Sequence, residues 1–224
     1  MKLPGVQLAS PMRPPGRTTR ASSAAAFSWF GANITPKVES AARAARALNP
    51  DVTIETHRAR LTPANALELI RRYDLVCDGS DNFPTRFLVA DACHLADRTL
   101  VSAAVLRFEG QVSTFKSHLG PPHPCYRCLH PEPPPEGLIP TCAEAGVFGA
   151  VTGVLGALQA TEALKEIAGV GEGLSGRLML WDALSASFRT VRLKRDPACA
   201  LCGAHATIRD LSHHQATQAQ ACAL

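Results

Sequence analysis

From residue 35 onward the spacing of apolar positions alternates between two periods. "TPKVESAARAARALNP" opens with Thr35 as a candidate N-cap, Pro36 at the first helical position and Glu39 in the first turn, and Asn49-Pro50 ends it, so it predicts a helix. "VTIETHRA" alternates as a strand does, and "TPANALELIRRY" predicts a second capped helix. "DLVCDGS" is a compact apolar run of the kind found in buried parallel strands, and it leads into the helical period of "DNFPTRFLVADACHLAD". "TLVSAAV" and "GQVSTFKS" predict strands, and a long helix is expected from about residue 144 to 168. "GRLMLWDA" and "FRTVRLKR" then read as an antiparallel pair. The order predicts an α/β domain with a mainly parallel sheet and an antiparallel C-terminal extension. Residues 1–34 carry Pro-Gly and Pro-Pro pairs and Ser/Ala runs without a period, and are expected to be irregular.

Composition narrows the function classes. A chain of 224 residues with 46% hydrophobic content can bury one good-sized core. Its formal charge of +4 is interspersed and forms no long basic face, which argues against nucleic acid, including a Cys₄ nucleic-acid module. No stretch reaches the roughly 18 apolar residues of a membrane span. "AGVFGAVTGVLGAL" stops at Gln159 and Glu162 and reads as a buried helix. The N-terminus has no apolar signal core, so a cytoplasmic protein is expected, in which eight cysteines suggest thiols or metal ligands rather than disulfides.

Cys125 and Cys128 in "HPCYRCLHPEPPP" share their spacing with Cys199 and Cys202 in "DPACALCG". Each two-residue gap lets both sulfurs face one point, and two such knuckles supply the four thiolates of a closed structural zinc site. A redox pair would open a helix at a βα turn, whereas Pro124 precedes one pair and Gly203 follows the other. Cys77 and Cys93 fall on apolar faces and read as core thiols, and Cys222 carries no signal. Cys142 precedes the long helix, where it is either a packed loop thiol or one activated by the helix N-terminus.

"CDGSDN" sets Asp78, Asp81 and Asn82 where a buried strand meets a helix, the edge at which open α/β sheets bind ligands. A carboxylate there can hold Mg²⁺ on a phosphate chain and an asparagine can fix a ribose, while the plainer reading makes Asp81 the cap of the following helix. Lys37 alone reads as a solvated lysine near a helix start.

"PKVES", "DLVCDGSDN", "VSAAVLRFEGQVSTF", "PCYRCL", "CAEAGVFGAVTGVLGALQATEALK" and "CALCG" stand in the order and rough spacing of the MoeB/ThiF/HesA family, which this chain resembles over about residues 35–211. These are ubiquitin-activating-enzyme-like adenylyltransferases, and "HPEPPPEGLIPTCAEAGV" is similar to the crossover loop of the molybdopterin-synthase branch. The resemblance implies a Rossmann-like fold that adenylates the C-terminal Gly-Gly carboxylate of a ubiquitin-fold sulfur carrier, using ATP and Mg²⁺. Lys37 would bind phosphate, and Asp81 would bind Mg²⁺ and ATP with Asn82 beside it. Cys125, Cys128, Cys199 and Cys202 would hold zinc. Cys142 would match a cysteine able to link sulfur covalently to the carrier, and Arg86 a structural or carrier-facing arginine. A homodimer and a separate sulfur donor are implied, the glycines at 146, 149, 153 and 156 offering a close-packing face either within the chain or between copies.

The family's first strand, GxGGxG loop, ribose-binding acid and "SNLxRQ" segment find no counterpart before Lys37. That loop binds phosphate through glycine amides at a helix N-terminus. The chain is therefore expected to be an N-terminally truncated member with impaired turnover. The alternatives are a non-catalytic, zinc-stabilised interaction protein and a ThiF-type enzyme of thiamine sulfur transfer. Residues 212–224 are expected to be a disordered tail.

Overall fold

The computed structural model describes residues 7–9, 20–23, 36–135, 137–140 and 142–214, with only the backbone described at 7–9, 20–23, 142 and 143. One eight-stranded sheet runs in the order β3-β2-β1-β4-β5-β6-β7-β8. Its strands are β1 (Gln7–Ala9), β2 (Arg20–Ser23), β3 (Thr53–Glu55), β4 (Leu75–Asp78), β5 (Thr99–Leu106), β6 (Glu109–Phe115), β7 (Arg177–Asp182) and β8 (Ser187–Arg192). The helices are α1 (Lys37–Leu48), α2 (Pro63–Arg71), α3 (Phe83–Leu95), α4 (Tyr126–Leu129), α5 (Cys142–Ala145) and α6 (Gly149–Ala168).

The α/β expectation stands, but the sheet is mixed rather than mainly parallel. Among the described strands, parallel pairing is confined to β2 with β3 and β4 with β5. β1 is antiparallel to both β2 and β4, and β5 through β8 form an antiparallel meander. The two-residue link between β5 and β6, Arg107-Phe108, allows only a hairpin, because a parallel return needs a crossover of a dozen or more residues. Segment 1–34, expected to be irregular, contributes β1 and β2. Composition hides such strands, because their hydrogen bonds go to the edge of β4 and to β3, and an unpaired edge accepts almost any extended segment.

Individual boundaries moved for local reasons. Pro36 takes the cap position of α1, its carbonyl accepting from the N–H groups of Glu39 and Ser40, and Thr35 lies outside the described residues. The single helix expected over 144–168 is two, because Gly146 takes φ +72° and Val147 bridges Arg107. At the start of the tail expected over 212–224, His213 and His214 dock on α3 beside the buried Leu211, which is order rather than disorder, and the expectation for 215–224 lies outside the described residues.

Apolar clusters cover both faces of the sheet. Ile70, Tyr73, Phe87, Val89, Leu100 and Tyr126 lie on one, and Val101, Val112, Val151 and Leu155 lie on the other. Gly110 lets α6 approach β6, since a Cβ there would stand 2.6 Å from Leu155 Cγ. Cys77 and Cys93 are core thiols. Burial pushes Cys77 up to about 12, with the neighbouring Asp78 adding to it, and raises Cys93 as well.

Gln159, buried on α6, donates through Nε2 to the carbonyl of Asp78 at 2.8 Å and of Val101 at 2.9 Å. It stitches the carboxyl end of β4 to α6. Gln159→Ala is expected to lower stability by about 1–3 kcal/mol, the cost of leaving buried carbonyls short of a donor. A urea unfolding midpoint unchanged from wild type would contradict this.

Candidate functional site

β2, β3, β4 and β5 point the same way, so they share one carboxyl edge. β4 ends at Asp78, and its turn to α3 carries Gly79, Ser80 and Asp81 on that edge. Asp78 is fully buried and accepts the Ser80 N–H at 2.9 Å, which closes the turn. Asn82, not Asp81, caps α3: its Oδ1 accepts the Thr85 N–H at 2.9 Å. Pro84 at the start of the helix has no N–H to offer, so the cap bond goes to the next free donor. Asp81 is thereby left exposed, its Oδ1 accepting from Asn82 Nδ2 at 3.3 Å. Arg86 is buried and donates to the Ser80 carbonyl at 2.5 Å, so its role in the described structure is to brace this turn.

Lys37 is the first residue of α1 and is exposed. α1 ends at Leu48, a few residues before β3 begins at Thr53, so its C-terminus lies at the amino edge. A twelve-residue helix spans about 18 Å, which carries Lys37 toward the carboxyl edge, the edge of Asp81. Cys142 opens α5, and its side chain lies outside the described residues.

The second centre sits on the side of the domain where β6, β7 and β8 have their amino-edge ends. Cys125 caps α4 and Cys128 lies within it. Cys199 and Cys202 sit on a turn closed by the Gly203 N–H donating to the Cys199 carbonyl at 2.8 Å. Only glycine fits there, because a Cβ would stand 2.5 Å from the carbonyls of Cys199 and Pro197. The sulfurs of Cys125 and Cys128 are 3.7 Å apart, and each lies 3.4 Å from its counterpart across the knuckles, Cys199 and Cys202. A tetrahedral zinc with bonds of about 2.3 Å has sulfurs about 3.8 Å apart, so the donor set fits, and all three spacings exceed the roughly 2.05 Å of a disulfide. Hydrogen bonds from the Cys125 and Cys202 thiols and from the Asp196 N–H hold Cys128 well below the ordinary thiol range, while the same shared proton pushes Cys125 up.

Several residues that organise this centre gave no motif. Arg195 donates to the carbonyls of Ser117 at 3.0 Å, His123 at 2.7 Å and Cys202, tying the second knuckle to the end of β6. Arg127, between the two cysteines of the first knuckle, reaches Asp91 on α3 with two bonds of 2.8 Å. Asp91 is fully buried and also meets His213 Nε2 at 3.0 Å and His214 Nε2 at 2.8 Å. Burial alone would push its carboxyl up, but His214 and Arg127 hold it below the usual carboxylate range. The available signal was Asp91 itself, a lone charge inside the apolar run "FLVADACHL", which needs a buried partner. A cleft of about 750 Å³ lies between the knuckle and the base of β8, lined by His123, Ser175, Arg192 and Lys194. It is at the opposite edge from Asp81.

Together these features define a Rossmann-like α/β domain with an acidic ligand-edge turn and a four-cysteine module joining its middle to its tail. The chain belongs to the ThiF family, whose model matches residues 30–201. It is 55% identical over 180 residues to the adenylyltransferase and sulfurtransferase MOCS3 of Bos taurus, covering 80% of this chain and 39% of that protein. It is 51% identical over 183 residues to the sulfur carrier protein adenylyltransferase of Thermus thermophilus, with 81% and 68% covered. The SAMP-activating enzyme E1 of Haloferax volcanii is 47% identical over 169 residues, with 75% and 61% covered. The chain thus spans between 39% and 68% of the length of these relatives. Among solved structures, E. coli MccB with ATP shares the fold at a TM-score of 0.62 and 17% identity, with 79% of this chain and 53% of that one covered. No helix of the described residues is long and apolar enough to cross a membrane.

Two outcomes are expected of this centre. Cobalt titration of the reduced chain gives one equivalent with a thiolate charge-transfer band, and Cys202→Ser weakens the band and lowers the melting temperature. A titration without that band would remove the metal reading. Asp91, with its folded pKa depressed, adds stability above the ordinary carboxylate range that is lost as pH falls through the folded value. Asp91→Asn is therefore less stable at neutral pH and has a flatter acid limb in urea midpoints measured against pH; an acid limb as steep as wild type would contradict this.

Proposed function

We propose that this chain is an adenylating domain for a ubiquitin-fold sulfur carrier, activating the carrier's C-terminal Gly-Gly carboxylate with ATP. The observation that carries the proposal is the Asp81 carboxylate, freed from capping by Asn82 and exposed at the carboxyl edge of β4, in a chain about half identical to sulfur-carrier-activating relatives. The carrier carboxylate attacks the α-phosphorus of ATP, a P–O bond forms, the bond to the β-phosphate oxygen breaks, and pyrophosphate leaves. The nucleophile is already ionised, so no strong base is required. Negative charge accumulates on the phosphate oxygens, and Lys37 and an Asp81-held Mg²⁺ are the groups proposed to balance it; Mg²⁺ supplies charge neutralisation on the phosphate chain. Arg86, Asn82 and Asp78 hold the turn so that Asp81 stays exposed, its carboxylate held by no more than the long bond from Asn82 among the described residues. Sulfur from a separate donor then attacks the acyl carbon of the adenylate, a C–S bond forms, the C–O bond to phosphate breaks and AMP leaves, with Cys142 the candidate on this chain for a covalent sulfur link to the carrier.

The four-cysteine centre is proposed as a closed structural zinc site: every sulfur is supplied by protein, and none is left over for substrate. A homodimer is the proposed assembly. A Cβ added to Gly153 or Gly156 of α6 meets nothing within 4 Å among the described residues, which leaves their small size unused there, and Phe148 and Leu164 on the same helix region are exposed.

A second reading, a zinc-stabilised interaction protein without turnover, is favoured by one observation: residues 1–36 contain no GxGGxG pattern to cradle phosphate. Pyrophosphate exchange into ATP, measured with a Gly-Gly carrier, discriminates. Weak, carrier-dependent exchange is expected, falling about 100-fold or to background in Asp81→Ala. Vigorous exchange would refute the impairment, and an Asp81→Ala chain as active as wild type would remove Asp81 from the chemistry.

A further inference from the structure

We propose that Arg127 is a positioning residue that couples the four-cysteine knuckle to the Asp78–Asn82 turn, so that metal in the knuckle sets the order of the ligand edge. The inference rests on the metal and nucleotide-edge readings above and adds a physical connection between them.

The connection is continuous. Cys125 caps α4 and Cys128 lies within it, so metal bound by these sulfurs fixes the backbone that carries Arg127. The Arg127 side chain leaves the knuckle toward α3 and is buried there. Its Nε and Nη2 donate to the two oxygens of Asp91 at 2.8 Å each, its Nη1 donates to the Pro131 carbonyl at 3.1 Å, and its guanidinium carbon lies 4.9 Å from the centre of the Phe87 ring. Tyr126, the neighbouring residue on α4, meets the same ring edge-on at 5.2 Å. α4 and α3 are therefore joined by a two-point ion pair and by two contacts on the Phe87 ring. A planar fork fixes orientation as well as distance, which a single point charge does not.

The other half of the path lies within α3. Asn82 caps its first turn, and Arg86 reaches back to the Ser80 carbonyl. Nine residues of helix, about 14 Å, separate Asn82 from Asp91. An unkinked helix of that length moves as a body, so an anchor at Asp91 restrains the turn at the helix N-terminus. Losing metal frees the knuckle backbone, and losing Arg127 leaves Asp91 with only His213 and His214. Both changes release α3 at the same point.

The test is native-state hydrogen exchange by mass spectrometry on the full chain, metal-loaded and chelated, with cobalt absorption reporting the knuckle directly. In wild type, chelation is expected to accelerate exchange across residues 79–86 by at least about fivefold, at the lower end of coupling between sites, while the β5–β6 hairpin stays near its starting rate. Arg127→Met is expected to keep its metal yet exchange rapidly at 79–86 with or without it. Arg127→Lys, which keeps the charge and loses the fork, falls between, and it carries the test if Arg127→Met does not fold. A metal-bound Arg127 variant whose 79–86 segment is as protected as wild type overturns the proposal. So does chelation that accelerates the whole chain uniformly. A wild-type chain without thiolate-bound cobalt overturns it together with the metal reading. No nucleotide turnover is measured, so failure of the adenylation reading leaves the exchange result standing.

Discussion

Four sulfurs facing one point hold together two pieces of chain 74 residues apart. Within that interval lie α5, α6 and the β7–β8 hairpin, so the last two strands of the antiparallel meander are closed into one loop by this contact. The entropy lost in closing a loop grows only slowly with its length, so a long clasp costs little more than a short one while fixing far more structure. Thiols make a weak clasp by themselves, since one shared proton binds them poorly. A divalent ion with about 2.3 Å bonds to each makes a strong one. The protein surrounds the sulfurs accordingly, with Leu201 and Ile208 packed against them and Arg195 gripping three carbonyls, one of them on Cys202.

The legible part of the fold was that dominated by local pattern. β4, α3, β5, β6, α6, β7 and β8 all fall where period and turn residues predicted them, and so does the convergence of Cys125, Cys128, Cys199 and Cys202. Strand direction was less legible. A buried apolar strand reads the same whether its neighbour is parallel or antiparallel, so the run of β4 and β5 suggested a parallel sheet that the short β5–β6 link forbids further along. β1 and β2 were invisible because edge pairing uses backbone groups that every residue carries. The break at Gly146 was written in the sequence as one of four spaced glycines, but spacing alone does not tell a packing glycine from one that takes positive φ.

The site divided in the same way. Asp81 was picked out as a ligand-edge carboxylate, and the rival reading that it caps α3 failed on a detail that sequence leaves open: two adjacent residues, Asp81 and Asn82, both make good caps, and only one can occupy the cap backbone geometry. Arg127 and Asp91 lie 36 residues apart and have no shared motif. What could be read was the anomaly of a buried charge in an apolar helix, and the anomaly demands a partner without naming it.

The arrangement separates two demands that would conflict at one place. The ligand edge proposed for a triphosphate needs exposed charge with few fixed bonds, and Asp81 is exposed there with one long contact, from Asn82, among the described residues. Such a residue cannot be held by its own side chain without being spent. Its position must come from the backbone on either side, and that backbone is fixed by groups that stay out of the chemistry: Asp78 closing the turn, Asn82 capping the helix, Arg86 bracing Ser80 and Gln159 holding the end of β4 from the opposite face. All four are short-range devices, and three of them depend on where α3 begins. Because α3 is itself anchored through Asp91 to Arg127, which stands between two cysteines of the knuckle, the proposed coupling would trace the order of an exposed acid at one edge to sulfur at the other.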